Sequence, residues 1–133
     1  MKREVLFRGK RIDNGEWVYG YYVIDPAGGH RIYRKPFDEA INNSYYFVYA
    51  ETVGQFTGLH DKNGKDIYEG DIVRYPTNDI EALKAEVIYK FGGFCTHIIE
   101  KDRLKPHPLF IIDEEKIEVI GNIHDNPELL KTE

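Results

Sequence analysis

Four carboxylates cluster in a short, turn-rich segment near the middle of the chain: Asp61, Asp66, Glu69 and Asp71. Oxygen ligands at close spacing are typical of sites for hard cations. The segment does not fit an EF-hand loop, because a loop that starts at Asp61 has Ile72 where the bidentate glutamate is needed. Turn chemistry explains the same residues, with Asp71 accepting backbone hydrogen bonds beside a bulge at Gly70. We therefore predict no metal here.

Five histidines could in principle supply a metal site or a general base: His30, His60, His97, His107 and His124. None of them has the i, i+4 helical spacing of a metal pair, and the single Cys95 cannot build a thiolate-rich zinc site. No serine-centred elbow or phosphate-binding loop is present, so no catalytic residue and no cofactor is predicted. An enzyme with a site near His60 and the acidic turn stays as one alternative.

Aromatic residues make up 14% of the sequence and include ten tyrosines. Two strand-like runs, residues 16–24 and 45–49, carry apolar side chains on both faces, a pattern typical of strands that are covered on both sides. In so small a chain this exceeds what one thin core covers, so we predict self-association or partner binding through these runs. The candidate interaction residues are Trp17, Tyr19, Tyr21, Tyr22, Tyr45, Tyr46 and Tyr49.

Basic residues are concentrated at the N-terminus, where only Glu4 accompanies Lys2, Arg3, Arg8, Lys10 and Arg11. Together with aromatic rings that can stack on bases, they permit an alternative function in single-stranded nucleic-acid binding. The net charge of −5 opposes this alternative, because a grip on a nucleic-acid backbone needs a concentrated positive surface. We interpret the basic stretch as an edge strand whose charges discourage the addition of a further strand.

The elements that must position these residues are mainly β-strands. Residues 4–12 and 16–24 flank an Asn-Gly turn and predict a hairpin, and residues 85–91 and 94–99 flank Gly92-Gly93 and predict another. A strand is predicted at residues 116–123. Shorter elements are predicted as a strand at residues 109–112, a helical turn at residues 37–43 and a short C-terminal helix that begins near Asn126-Pro127.

A length of 133 residues suits one domain. We expect an N-terminal hairpin subdomain over residues 1–50 and a small antiparallel SH3-like barrel over residues 51–133, because five or six short strands with tight turns follow one another there. The lone cysteine, the lack of a signal-peptide pattern and the lack of a run of about 20 apolar residues favour a cytoplasmic protein without membrane contact.

Three separated blocks resemble the YopX family of phage and prophage proteins. They are residues 53–73, residues 120–130, and the opening segments at residues 7–10 and 15–20. The resemblance implies a phage or prophage origin in a bacterial host, a mainly β architecture and a homo-oligomer, with a phage or host protein as a possible partner. It supplies no catalytic residues, so the predicted function is that of a non-enzymatic accessory protein.

Overall fold

The computed structural model describes residues 3–34, 44–76, 82–99 and 107–131. Within these ranges the chain is mainly β, as predicted, and it forms two antiparallel sheets. It divides into two compact units, Met1–Phe56 and Thr57–Glu133. Folding as a single domain stays a prediction. In the described part of the chain, no helix has both the length and the apolar character required to cross a membrane.

The first sheet has six strands. They are β1 (Phe7–Lys10), β2 (Trp17–Ile24), β3 (His30–Arg34), β4 (Tyr45–Phe47), β5 (Gly54–His60) and β6 (Asp66–Tyr68). Their hydrogen-bonded order is β4-β3-β2-β1-β5-β6. The predicted hairpin is confirmed, since Phe7 pairs with Gly20 and Lys10 with Trp17, and Gly15 has the positive φ of 73° that the turn requires.

The second sheet has five strands. They are β7 (Asp71–Pro76), β8 (Ala82–Lys90), β9 (Gly93–Ile98), β10 (His107–Pro108) and β11 (Glu118–Asn122). Their hydrogen-bonded order is β10-β9-β8-β7-β11. The predicted β8–β9 hairpin is confirmed, with Ala85 opposite Ile98 and Lys90 opposite Gly93.

Each unit has a core of its own. In the N-terminal unit the buried cluster is Val18, Ile32 and Val48, with Phe7, Tyr22, Tyr46 and Val53 packed against it. In the C-terminal unit the buried cluster is larger and consists of Ile67, Val73, Tyr75, Ala85, Val87, Ile98, Leu109 and Ile117. Apolar side chains that alternate along the strands supply both clusters, as the period of two residues in a strand requires.

Several finer predictions need correction. The described strands form two open sheets and no closed barrel, because β5 and β6 join the N-terminal sheet and leave β7 between β8 and β11. The predicted C-terminal helix is a four-residue 3₁₀ helix, Pro127–Leu130, with Pro127 at its start. Leu109–Ile111 is likewise a 3₁₀ helix and not a strand. The helical turn predicted at residues 37–43 lies outside the described residues.

Candidate interaction surface on the N-terminal sheet

One face of the N-terminal sheet collects side chains from three adjacent strands. Tyr21 lies opposite Tyr33, and Tyr33 lies opposite Tyr45 on the next strand. Residues that lie directly opposite each other in antiparallel strands point to the same side of the sheet, and so do residues two positions apart. These rules define a surface that we call the aromatic face. It consists of Tyr19, Tyr21, Val23, Arg31, Tyr33, Tyr45 and Phe47, and the same rules place Trp17, Arg8 and Lys10 beside Tyr19 on this side of the sheet.

Much of the aromatic face is open to solvent. Tyr19, Tyr21, Val23, Tyr45 and Phe47 each keep between 37% and 45% of their surface exposed. Since an aromatic side chain has a surface of about 200 Å², these five residues together expose on the order of 400 Å². The largest apolar patch on an ordinary monomer covers ~300–600 Å² and is often functional. The aromatic face alone reaches that range.

The reason for this exposure lies on the other side of the sheet. Val18, Ile32 and Val48 fill that side and are at most 5% exposed. The packing is tight around Gly9, where an added Cβ atom would lie 3.0 Å from the Cβ atom of Val48. Successive residues of a strand point to opposite sides of the sheet, so the rings of the aromatic face point away from this core. Those rings stay at the surface.

Arg31 lies between Val23 and Phe47 on the aromatic face and contacts two of its rings. Its Cζ atom lies 4.3 Å from the centroid of the Tyr45 ring and 5.2 Å from that of Phe47. The rings also contact each other, with centroids 5.3 Å apart for Tyr33 and Tyr45 and 5.4 Å apart for Tyr45 and Phe47. Such edge-on and tilted pairs hold rings in preferred geometries. These contacts hold the rings in a defined arrangement at the surface.

Asp25, in the loop between β2 and β3, fixes Arg31 in place. Its Oδ2 atom lies 3.0 Å from Nε and 2.9 Å from Nη2 of Arg31. Its Oδ1 atom accepts backbone hydrogen bonds from Ala27 and Gly29 at 2.9 and 2.8 Å. The hydrogen bond from the backbone of Gly29, together with the Arg31 side chain, lowers the pKa of Asp25 despite the opposing effect of desolvation. At neutral pH the ionised Asp25 thus neutralises the charge of Arg31.

Gly29 is the residue that makes this loop possible. A Cβ atom at position 29 would lie 2.5 Å from Asp25 Oδ2 and 3.0 Å from Phe47 Cε1. Only a residue without a side chain lets the carboxylate and the ring approach the backbone so closely. The β2–β3 loop and the aromatic face are therefore built as one structure.

The seven aromatic residues singled out from the sequence separate into two groups. Tyr19, Tyr21 and Tyr45 belong to the aromatic face, and Tyr49 is also exposed. By contrast, Tyr22 and Tyr46 pack against the buried core, and Trp17 is half-buried beneath Arg8 and Lys10, whose charged groups lie 4.6 and 5.4 Å from its ring centroid.

Sequence reasoning missed Phe47, Arg31 and Asp25 as parts of the surface. The alternation from Tyr45 to Phe47 was a usable signal for the first of them, because residues two apart in a strand share a face. Arg31 and Asp25 are six residues apart, and their contact depends on the register of the β2–β3 hairpin.

The basic N-terminal strand is not the edge strand that the sequence suggested, because β1 pairs with β2 on one side and with β5 on the other. Its cations are engaged with their neighbours. Arg8 is buried to 5% exposure, and Arg11 forms an ion pair with Asp13 at 2.6 Å while lying 4.0 Å from the Tyr46 ring centroid. Lys2 lies outside the described residues.

The acidic turn is a structural element in which the carboxylates act separately. Asp61 accepts backbone hydrogen bonds from Asn63, Lys65 and Val119 at 2.8, 2.9 and 3.0 Å. Asp71 accepts one from Tyr68 at 2.8 Å. These bonds are the turn chemistry that the sequence predicted.

His60 and Asp66 form an exposed pair with 3.0 Å between Nε2 and Oδ1. Among the described residues, no group of three or more histidine, cysteine or acidic side chains is arranged to hold a metal ion. This exposed pair alone does not support the alternative of an enzyme with a site near His60.

The profile of the YopX protein family matches residues 6–131. The chain belongs to the YopX family. This confirms the resemblance found in the sequence motifs. No curated protein sequence matches the chain.

Two solved structures are similar to the chain over nearly their whole length. The chain is similar to protein EF1440 from Enterococcus faecalis, with 26% identity and a TM-score of 0.63 over 98% of this chain and 100% of that one. It is also similar to protein yopX from Bacillus subtilis, with 18% identity and a TM-score of 0.62 over 99% of each chain. At 18% identity the likeness shows a shared fold alone. The fold described above is thus shared with both of these solved structures.

Proposed function

We propose that this YopX-family chain is a non-enzymatic accessory protein that forms homo-oligomers through the aromatic face. The observation that carries the proposal is the ordered, solvent-exposed set of rings around the Arg31–Asp25 pair. An apolar surface of this size is costly to leave in water, and its burial stabilises an association at about 25 cal/mol per Å² before the entropy of association is subtracted.

A second copy of the chain is the occupant that suits this surface best. None of the seven positions of the aromatic face carries an acidic residue, and Asp25 neutralises Arg31. The other two cations on this side of the sheet, Arg8 and Lys10, lie over the Trp17 ring beside Tyr19. Two copies can therefore meet around a two-fold axis over the β2, β3 and β4 part of the face without like charges opposing each other. A stable interface buries about 800 Å² on each partner. The exposed ~400 Å² supplies its apolar centre, and the β2–β3 loop around Asp25 contributes to the polar rim.

Membership of the YopX family suggests in which organism and compartment this function is carried out. YopX-family resemblance implies a phage or prophage gene, and the single buried Cys95 suits the reducing bacterial cytoplasm. In that setting a phage or host protein is the competing occupant of the aromatic face. Such a partner would require the chain itself to be monomeric at the concentrations at which it acts.

Light scattering coupled to gel filtration tests the proposal. The wild-type chain of 15.5 kDa should elute at micromolar concentration as particles that contain more than one copy. A variant with Tyr21→Thr and Phe47→Thr should form particles of lower mass, because it lacks two exposed rings of the aromatic face. Threonine favours strands, so the sheet should be kept.

Ile24→Thr provides a matched control. Ile24 lies on the same strand as Tyr21 but on the opposite face, and it is more exposed than any residue of the aromatic face, at 57%. Its replacement should leave the mass unchanged. A wild-type monomer throughout the micromolar range, or equal masses for the wild type and the double variant, would contradict the proposal.

Single-stranded nucleic-acid binding is a second candidate, and the packing at Trp17 favours it. Lys10 lies 5.4 Å from the centroid of this half-buried ring, so a cation and a stacking surface occur side by side. If the candidate is right, single-stranded DNA should bind at low salt and dissociate as salt increases, and Lys10→Gln should weaken binding. If single-stranded DNA is not retained at about 50 mM salt, nucleic-acid binding is excluded.

A further inference from the structure

The chain contains two Asn-Gly pairs, and each lies in a turn between two strands. Asn14-Gly15 lies between β1 and β2, and Asn63-Gly64 lies between β5 and β6. In such a pair the side-chain amide carbon of the asparagine can approach the next backbone nitrogen closely, because glycine has no Cβ atom to keep it away. Each pair therefore has the sequence that favours spontaneous deamidation.

This reaction needs only the chain and water. The backbone nitrogen of the glycine forms a bond to Cγ of the asparagine, the bond between Cγ and Nδ2 breaks, and ammonia leaves with the proton of the glycine nitrogen. Solvent water then opens the resulting succinimide ring at one of its carbonyl groups. If the bond from the nitrogen to Cγ is cleaved, the product is aspartate. If the bond to the main-chain carbonyl carbon is cleaved, the product is isoaspartate, in which the backbone runs through the former side chain.

The backbones of the two turns are closely matched. Gly15 and Gly64 have φ values of 73° and 80°, and a Cβ atom added to either would have no atom within 4 Å. Their N–H groups donate to the carbonyl oxygens of Arg11 and Asp61, both at 2.9 Å. Both asparagines are exposed, so water reaches both. These features therefore affect the reaction similarly at the two sites.

The side chains of the two asparagines are held differently. Asn14 Oδ1 accepts a hydrogen bond of 2.9 Å from the backbone N–H of Glu16, so its amide group is fixed in one orientation. Asn63 takes part in its turn through its backbone N–H, which donates to Asp61 Oδ1 at 2.8 Å. Among the described residues, no hydrogen bond holds the side-chain amide of Asn63. This amide is therefore free to turn towards the nitrogen of Gly64.

We infer that Asn63 is a site of spontaneous deamidation in the folded protein, that its isoaspartate product weakens the turn around Asp61, and that Asn14 is comparatively protected. The reaction is independent of the proposed self-association, because it requires only the turn and solvent.

The hydrogen bonds of Asp61 explain why the product weakens the turn. Asp61 Oδ1 accepts from the N–H groups of Asn63 and Lys65, which lie on either side of the modified bond, at 2.8 and 2.9 Å. Isoaspartate inserts one more backbone atom between these two donors, so they no longer meet the same oxygen. Asp61 Oδ2 accepts from the N–H of Val119 in β11 at 3.0 Å. A displaced Asp61 side chain therefore also loosens the link between the turn and β11.

Peptide mapping by mass spectrometry, after incubation of the purified full chain at mildly alkaline pH, tests the inference. The measured quantity is the rate at which aspartate and isoaspartate appear at positions 63 and 14. We expect the rate at Asn63 to exceed that at Asn14 by about threefold to tenfold, the factor that corresponds to one hydrogen bond of ordinary net strength. Equal rates, or faster conversion of Asn14, overturn the inference.

The same incubation in concentrated guanidinium chloride is the matched control, because both turns are then unfolded. Sodium chloride at about 1 M is added to the folded sample, so that the charges flanking the two pairs are screened in both samples. The two rates should become similar in the denaturant. If the ratio of the folded state persists there, it arises from the local sequence and the inference is overturned.

The effect on the turn is measured on separated material. Ion exchange separates the modified chains, which carry one more negative charge, and their isoaspartate fraction should have a lower thermal unfolding midpoint than fresh protein. Asn63→Gln is the matched variant, since position 63 does not have positive φ and the longer side chain closes the ring slowly. Its midpoint should not change during incubation. An isoaspartate fraction with the midpoint of fresh protein, or an equal decline in Asn63→Gln, overturns the inference.

Discussion

The two units of the chain use their aromatic and apolar residues in opposite ways. The C-terminal unit buries eight residues in its main cluster, whereas the N-terminal unit buries three in its cluster and carries the exposed rings of the aromatic face on the other side of the same strands. A unit with many aromatic residues therefore need not have a large buried core. In the N-terminal unit, several aromatic side chains lie on the face of the sheet opposite the core and stay partly exposed to solvent.

The charges differ in the same direction. Residues 1–56 contain eight lysines and arginines against seven acids, whereas residues 57–133 contain ten against sixteen. The net charge of −5 therefore resides in the C-terminal unit. A nearly neutral unit is the better place for a surface that meets a copy of itself, because net charge opposes self-association.

The largest expected effect contrasts a buried residue of the C-terminal unit with a ring of the aromatic face. Ile67 is fully buried, so Ile67→Ala should lower the free energy of unfolding by about 2–5 kcal/mol. Tyr21→Thr should lower that of the monomer by less than ~0.5 kcal/mol, as for other surface substitutions. Urea denaturation at low protein concentration measures both. Similar losses for the two variants would show that Tyr21 belongs to the core.

A smaller loss is expected at the acidic turn. Asp61→Ala leaves the backbone N–H groups of Asn63, Lys65 and Val119 without their carboxylate. Each buried donor that stays unsatisfied costs about 1–3 kcal/mol, and entering water will relieve part of this. We expect a loss of roughly 2 kcal/mol, with Asp61→Asn less affected because its amide oxygen still accepts. No loss in Asp61→Ala would refute the structural role of the turn.

The same carboxylate predicts a dependence on pH. Burial opposes its ionisation, but the hydrogen bonds from Val119, Lys65 and Asn63 outweigh burial and lower the pKa of Asp61 below its usual value of 3.8. A lowered folded-state pKa contributes stability above the unfolded-state pKa, and that stability is lost as the pH falls through the folded-state value. Wild-type stability should therefore decline more steeply below pH ~4 than that of Asp61→Asn. Parallel urea midpoints for the two proteins between pH 7 and about pH 2.5 would contradict this assignment.

The smallest expected effect concerns the loop beneath the aromatic face. Gly29→Ala forces a Cβ atom against Asp25 and Phe47 and should cost about 1 kcal/mol, in the lower range for overpacking. It should also weaken self-association, because Phe47 must move. Gly93→Ala is the matched control, since Gly93 has ordinary φ and no atom within 4 Å of an added Cβ. Equal unfolding energies and equal particle masses for the two variants would disconnect the loop from the surface.

Local patterns in the sequence predicted the hairpins and the acidic turn, because Asn-Gly turns and alternating residues act over a few positions. The β1–β2 hairpin around Gly15 and the backbone hydrogen bonds of Asp61 are both examples. They also predicted that residues 16–24 have two apolar faces. Which face is buried depends on pairing with β3 and β4, which local patterns do not encode.

Two failures of prediction arise from strand pairing and its register. Barrel closure depends on which distant strands pair, and β5 pairs with β1 across more than forty residues of sequence. Similarly, the ion pair of Asp25 with Arg31 becomes visible only once the hairpin register is known. The exposure of Phe91 was missed for another reason. The alternation that continues through Tyr89 and Phe91 suggests a buried face, whereas both residues lie at the end of the β8–β9 hairpin and are 56% and 82% exposed.

Site-specific photo-crosslinking tests the central claim most directly. A benzophenone amino acid placed at position 47 should link two copies of the chain, and the linked peptides should map to β2, β3 or β4 of the second copy. The same probe at position 24, on the opposite face of β2, should yield no such link. Efficient homodimer links from position 24, or links from position 47 that map away from the aromatic face, would contradict self-association through this surface.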